Sequence, residues 1–439
     1  MQFTLAQVCD FFGVRAGVPD VLVTGWSIDS RTVQPGDLFF AIKGENFDGH
    51  QFVKAAFEKG AVAAVVSEAV DGGGKTVLTT ASSVSALGEL ARNARERWGK
   101  PVAGVTGSAG KTSTKDIIAA FLATRFRVGK TVGNFNNHIG LPLSILRIPD
   151  DSELAVLEMG MNHAGEIRAL AGIAKPQIGV VTNVGYAHIE AFPSIEGIAA
   201  AKRELIESLP EDGVAVLNAD DPRVFAFREY HRGRVLTYGF GEDAEIRADD
   251  LERELEGSCF RIGDVRFRTS LPGRHAVLNI LAGVAVASLF GIKVEELVAA
   301  VAELTPGKMR GGRRQVRGIT ILDDSYNANP EAMRSMIDVL AHENAERKIA
   351  VLGEMLELGD WSEKLHREVG EYAASRGIDV VIGVRGSARF LAEAAGGKFF
   401  EDAKNAGAFL REFVKAGDAV LFKGSRGTHV EEALATMEE

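Results

Sequence analysis

Residues 104–116 read GVTGSAGKTSTKD, a glycine-bearing turn that runs straight into a lysine and two hydroxyl residues. Such a stretch is suited to holding phosphates. Gly107 and Gly110 let backbone N–H groups turn toward an anion. Lys111 can reach the β- and γ-phosphates of a nucleotide, and the hydroxyl of Thr112 or Ser113 can bind Mg²⁺. One position departs from the pattern G-x-x-x-x-G-K-[ST], because Val105 stands where its first glycine belongs. The apolar run PVAGV before the turn and KDIIAAFLATRF after it predict strand, loop and helix, the order a phosphate cradle needs. The plainer alternative is an empty Gly-rich turn that merely starts a helix. Lys-Thr directly after the second glycine favours a variant phosphate loop.

Other groups that could do chemistry follow strand-like runs. Glu158 closes ELAVLEMG, and a carboxylate there suits a hard cation that needs oxygen ligands; the less favoured alternative is a surface acid at a strand end. TNVGYAHIEAF puts Asn183 and His188 just past another apolar run, where a lone histidine is as readily structural as functional. Lys202, in AAAKRELIES, lies on a helical stretch and by its local context is a solvated lysine. Lys423, Ser425 and Arg426 form a basic loop at a strand end, open to a substrate-contact or a surface role.

The elements that must position these groups come from apolar periodicity. The chain has 439 residues, enough for about three domains. From residue 99 onward PVAGVTG, ELAVLEMG, IGVVTNVG and GVAVLNADD alternate with helical stretches, the pattern of a parallel sheet buried on both faces. Residues 232–272 read as antiparallel strands, and PGRHAVLNILAGVAVASLFG as a helix. Beyond the Gly- and Arg-rich TPGKMRGGRR a second series follows: GITILDDS, KIAVLGEM, DVVIGVRG and DAVLFKGS. The fold class is therefore α/β in three domains. They are a small mixed α/β domain over 1–98, a central P-loop parallel-sheet ATPase domain over 99–306, and a C-terminal Rossmann-like α/β domain over 307–439.

A net charge of −10 argues against a nucleic-acid partner. Two cysteines far apart support neither a disulfide framework nor a metal site and fit a reducing compartment. MQFTLAQVCDFFG lacks the basic and apolar regions of a signal peptide, and no stretch is apolar enough to span a bilayer, so a cytoplasmic protein is expected.

Taken together, TGSAGKTST, GNFNNHIGLPLSIL, LEMGMNHAGEI, TNVGYAHIEAF, AKRELIESL and PGRHAVLNILAG resemble the Mur ligase superfamily, whose members activate a carboxylate with ATP and couple it to an amine. DDSYNANPEAM, VLGEMLELGDWSEKLHREVG and LFKGSRG are similar to the branch that adds D-alanyl-D-alanine to UDP-N-acetylmuramoyl-tripeptide in peptidoglycan precursor synthesis. The resemblance implies ATP and Mg²⁺ as cofactors, those two compounds as substrates, and a monomer. The family loop TG-x-x-GK-[ST] matches Thr106, Gly107, Ser108, Ala109, Gly110, Lys111, Thr112 and Ser113, which accounts for Val105. It also implies two metal ions, held by Thr112, Glu158, His188 and Lys202, with Lys202 carbamylated, and Lys111, Glu158, His188 and Lys202 as catalytic residues. Asn279 would meet adenine and Asp324 other nucleotide groups. Arg310 would meet the phosphates, with Arg313 and Arg314 as nearby alternatives. Ser27, Ser30, Arg31 and Asn137, with Asn327 and Asn329, would bind substrate. Asn327 and Asn329 read equally as turn-forming residues before Pro330. The third domain is expected to close over the nucleotide and exclude water.

Rival readings are the neighbouring ligase that adds the third amino acid, a folylpolyglutamate synthase-like enzyme, a P-loop kinase, and a nucleotide-binding regulator without chemistry. The signature DNPR of the neighbouring ligase is absent, while DDSYNANP is present.

Overall fold

The computed structural model describes residues 1–13, 18–254 and 257–439. After a short antiparallel pair, Phe3–Thr4 with Leu22–Val23, comes a sheet of four parallel strands in the order Gly25–Ser27, Asp37–Phe40, Ala63–Val66 and Thr76–Thr79. DLFF and AAVV are buried throughout, as strands covered on both faces must be. Helix Ser83–Trp98 follows. Ser82 caps it by accepting the Ser85 N–H, and Gly99 ends it in the left-handed conformation at φ 67°.

The central sheet has seven parallel strands. Their order is Ile246–Arg247, Arg234–Gly239, Val214–Asn218, Ile178–Val181, Val102–Thr106, Leu154–Glu158 and Val128–Lys130. The expectation of antiparallel strands over 232–272 therefore holds only in part. Asp249–Glu254, Gly257–Ile262 and Val265–Thr269 form an antiparallel sheet, but Arg234–Gly239 joins the parallel one. Leu236 and Tyr238 are buried there, and the Tyr238 hydroxyl donates to the Val181 carbonyl at 3.1 Å. Val105 is a core residue, packed in one cluster with Ile117, Ile118 and Phe121 of helix Lys111–Leu122. The turn can begin only after it.

The C-terminal sheet runs Gly312–Val316, Ile319–Asp323, Asp418–Lys423, Arg347–Gly353, Val380–Val384 and Lys398–Phe400. Its first pair is an antiparallel hairpin and the rest is parallel. The four apolar strands were legible in sequence; the two edge strands are polar or short and were not. Among the described residues no helix is long and apolar enough to cross a membrane.

Candidate active site

Thr106 ends its strand fully buried, and its hydroxyl donates to the Met159 carbonyl at 2.9 Å. Gly107 follows at φ 149°, and a Cβ there would lie 1.8 Å from Oγ1 of Thr182. The end of the next strand clamps the loop. Thr182 Oγ1 donates to the Ala109 carbonyl at 2.6 Å, and Asn183 accepts the Ala109 N–H at 2.8 Å. Ser108 Oγ donates to the Gly185 carbonyl at 2.9 Å and accepts its N–H at 2.8 Å. Gly110 caps helix Lys111–Leu122 at φ 80°, with Asn279 Oδ1 2.7 Å from where a Cβ would stand. Asn279 Oδ1 also accepts from Thr114 Oγ1 at 3.1 Å. Lys111 folds its ammonium back to the Gly107 carbonyl at 2.8 Å. Desolvation lowers its pKa and the Arg310 charge lowers it further, while Glu158 opposes both. Gly107→Ala is expected to lower turnover about a hundredfold, because relieving the clash displaces the loop by about an ångström; initial-rate assays check this.

Glu158 is 1% exposed. Its Oε1 accepts from Asn136 Nδ2 at 2.7 Å, whereas Oε2 is buried without a hydrogen-bond partner among the described residues. A buried carboxylate oxygen is costly in that state and is suited to a cation. Thr112, Ser113 and His188 line the same cavity. His188 sits at φ 63°, and its Nδ1 lies 2.5 Å from Oε2 of Glu357 without the alignment of a hydrogen bond.

Lys202 corrects the context-only reading of a solvated lysine. It lies on helix Ile195–Glu207 and is 1% exposed, on the face that buries Ile198 and Leu205. Among the described residues its ammonium has no ion pair. Burial and then the charge of Lys111 push its pKa well below the usual lysine value.

The C-terminal part supplies the opposite wall. Arg310 lies over the Tyr326 ring, 3.9 Å from its centroid, and faces the cavity. Arg313 pairs instead with Glu343 at 3.2 Å and Arg314 with Glu438, neither lining the cavity. Asp324 is paired with Lys423, whose ammonium also donates to the Asn327 carbonyl at 2.9 Å. Asn329 is a helix cap, accepting the Ala332 N–H at 2.8 Å, and it donates to the Ser108 carbonyl at 3.3 Å. Glu331 accepts the Tyr186 N–H at 3.1 Å, and the Glu357 carbonyl accepts the Glu190 N–H at 3.2 Å. One cavity of about 750 Å³ thus gathers residues 108–113, Glu158, His188 and Asn279 from the centre. Arg310, Asp324, Asn327, Asn329, Lys423, Ser425 and Arg426 face them from the C-terminal side.

Burial raises the Glu331 carboxyl pKa. Between the unfolded and folded values the folded protein therefore keeps a proton that the unfolded chain has lost, so stability falls as pH rises through that window. Glu331→Gln removes this loss. Its melting temperature should gain on the wild type as pH rises from about 4.3, and a gap independent of pH would refute the account.

The substrate candidates near the N-terminus are divided. Ser27 is buried and lines a second cavity of about 890 Å³, together with Trp26, Asp29, Phe135 and Arg147. Ser30 and Arg31 do not line it. The Arg31 side chain is 87% exposed and grips Asp29, whose carboxyl it lowers to about 2. Asn137 lines neither cavity; its Oδ1 accepts the N–H groups of Ile139 and Gly140 at 3.1 and 2.8 Å.

Three family models match in tandem. They are the Mur ligase family catalytic domain over residues 22–98, the Mur ligase middle domain over 105–287, and the Mur ligase glutamate ligase domain over 309–426. The chain is 38% identical to the UDP-N-acetylmuramoyl-tripeptide–D-alanyl-D-alanine ligase of Bacillus subtilis, over 95% of this chain and 94% of that protein. The enzyme of the same name from Escherichia coli is 34% identical, over 99% and 98%. The chain belongs to the Mur ligase family. A crystal structure of MurF from Acinetobacter baumannii superimposes with a TM-score of 0.94 at 31% identity, covering 100% of this chain and 99% of that one. MurF from Thermotoga maritima, solved in complex with ADP, gives 0.85 at 33% identity, covering 95% and 97%. The three-domain Mur ligase architecture and ATP dependence follow for this chain.

Among the cavity residues of this Mur ligase that escaped sequence reasoning are Asn136 and Glu357. Asn136, not its neighbour Asn137, reaches Glu158, and only the path of the turn decides which of two adjacent asparagines points inward. Glu357, inside the quoted GEMLELGD, carried no spacing signal of its own.

Proposed function

We infer that this Mur ligase joins D-alanyl-D-alanine to UDP-N-acetylmuramoyl-tripeptide, converting ATP to ADP and phosphate and yielding the UDP-N-acetylmuramoyl-pentapeptide of the peptidoglycan precursor. The observation that carries the reading is the single cavity in which a phosphate loop and a partnerless buried carboxylate oxygen face a separate C-terminal wall. Relatives bearing this activity in their names match the chain from end to end.

A carboxylate is a poor electrophile, since its charge repels an amine and oxide is a bad leaving group. Transfer of the γ-phosphoryl group of ATP to the tripeptide carboxylate forms an acyl phosphate. The amine of D-alanyl-D-alanine, in its neutral form, then attacks that carbonyl carbon; an amide bond forms, the C–O bond to phosphate breaks, and phosphate and the amine's proton leave. Catalysis of the first step is mostly positioning and electrostatics. The N–H groups of residues 107–113 and the ammonium of Lys111 hold the β- and γ-phosphates, and Arg310 offsets their charge from the opposite wall. Asn279 faces the adenine side, and Asp324, kept in place by Lys423, orients the nucleotide. Asn327 lies toward the dipeptide, while Asn329, its amide engaged by the helix cap and Ser108, ties that side to the loop. Ser27 serves the UDP-sugar end from the second cavity, whereas Ser30, Arg31 and Asn137, which line neither cavity, would meet substrate only after a rearrangement.

Thr112, Glu158 through Oε2, His188 and Lys202 would hold Mg²⁺, which supplies positive charge between ATP and the incoming carboxylate. An unmodified ammonium does not fit a cation site, but a carbamate does. Burial and the charge of Lys111 lower the Lys202 pKa, which favours the neutral amine whose nitrogen can attack CO₂ and lose a proton, leaving an anionic oxygen ligand. The domains are assigned to 1–98, 99–306 and 307–439, and the enzyme acts as a cytoplasmic monomer.

The test is phosphate release from ATP with UDP-N-acetylmuramoyl-tripeptide, with and without D-alanyl-D-alanine. Release that needs both, with a product heavier by one dipeptide, is expected. Release with a single amino acid in place of the dipeptide points to the neighbouring ligase, and no release with either amine refutes the substrate assignment.

A further inference from the structure

Three carboxylates of the C-terminal domain line the main cavity: Asp324, Glu331 and Glu357. Asp324 is paired with Lys423, and Glu331 accepts the Tyr186 N–H. Glu357 differs. Among the described residues its carboxylate faces only the unaligned imidazole of His188, 2.5 Å away. Its backbone is nevertheless firmly placed. The residue takes φ 62°, its carbonyl accepts the Glu190 N–H at 3.2 Å, and Gly359 packs closely on Glu190. Trp361, a few residues on, meets Tyr186 with ring centroids 6.0 Å apart. Glu357 is thus carried by the C-terminal domain to a loop of the central domain, near enough to Lys111 to feel its charge.

The incoming amine is mostly an ammonium at neutral pH. Lys111, Arg310 and Arg426 on the cavity wall repel it, so its delivery calls for an anion that is not already satisfied. The Glu357 side chain lines the cavity and is 46% exposed, so its carboxylate stays open to an incoming cation beside His188. We propose that Glu357 binds the ammonium of the incoming D-alanyl-D-alanine and sets it beside the acyl carbon. This rests on the ligase reading.

Glu357→Gln keeps the size and removes the charge. It should raise the KM for D-alanyl-D-alanine roughly ten- to a hundredfold, with the KM for ATP within about twofold of wild type. Inhibition by propionyl-D-alanine, which has the dipeptide frame without the amine, should be equal in both proteins. Glu357→Asp should recover part of the loss, and it carries the same comparison if the Gln variant does not fold. An unchanged dipeptide KM overturns the proposal. So does equal weakening of propionyl-D-alanine or ATP, which would mark a merely structural or nucleotide role. Wild-type enzyme run alongside separates the failures, since absence of pentapeptide there refutes the ligase reading itself.

Discussion

Lys111→Ala is expected to lower phosphate release at least about a thousandfold, the scale of losing a preorganised charge at the reacting group. The substitution leaves the helix in place, because alanine is the best helix former and Lys111 is the first residue of Lys111–Leu122. What disappears is the cation proposed above to hold the phosphates. The Gly107 carbonyl, which now accepts the Lys111 ammonium, then faces the nucleotide without an intervening positive charge. Lys111→Arg should not restore activity. A planar guanidinium is wider than an ammonium and cannot fold back to the Gly107 carbonyl in the same way. Steady-state phosphate release together with melting temperature checks both variants. Residual activity above about a tenth of wild type, in a folded protein, would place the phosphate charge elsewhere.

Lys202→Met should likewise cost about a hundred- to a thousandfold in turnover, yet the melting temperature should hold or rise. The two results together separate function from structure. A buried lysine with no ion pair is a burden on the fold, and an apolar side chain of similar length removes it. A lysine serving the core alone would show the reverse, with stability lost and the chemistry spared. Wild-type protein incubated with ¹³C-bicarbonate should show a carbamate carbonyl signal that Lys202→Met lacks and that acid abolishes. Full activity in the Met variant, or no carbamate signal in the wild type, would sink the assignment.

Much of this was legible in the sequence, for identifiable reasons. The loop around Lys111 announces itself because glycine, lysine and hydroxyl residues must be contiguous to cradle phosphates. The parallel strands are visible because burial on both faces demands unbroken apolar runs such as LAVLE and IGVV. Arg234–Gly239 was harder, since four of its six residues are buried but its parallel pairing with Val214–Asn218, not with the strands that follow it, shows only in the folded chain.

By itself the sequence determined the α/β class, the phosphate loop, the strand-end acid and the family. All of these are written in contiguous residues whose spacing is set by local geometry. The tertiary structure alone decided which arginine faces the cavity, that Lys202 is buried, that Asn136 and not Asn137 holds Glu158, and that Glu357 meets His188. Each of these depends on where two distant segments come together. Burial and pairing at such meetings are properties of the packed chain, and no local pattern encodes them.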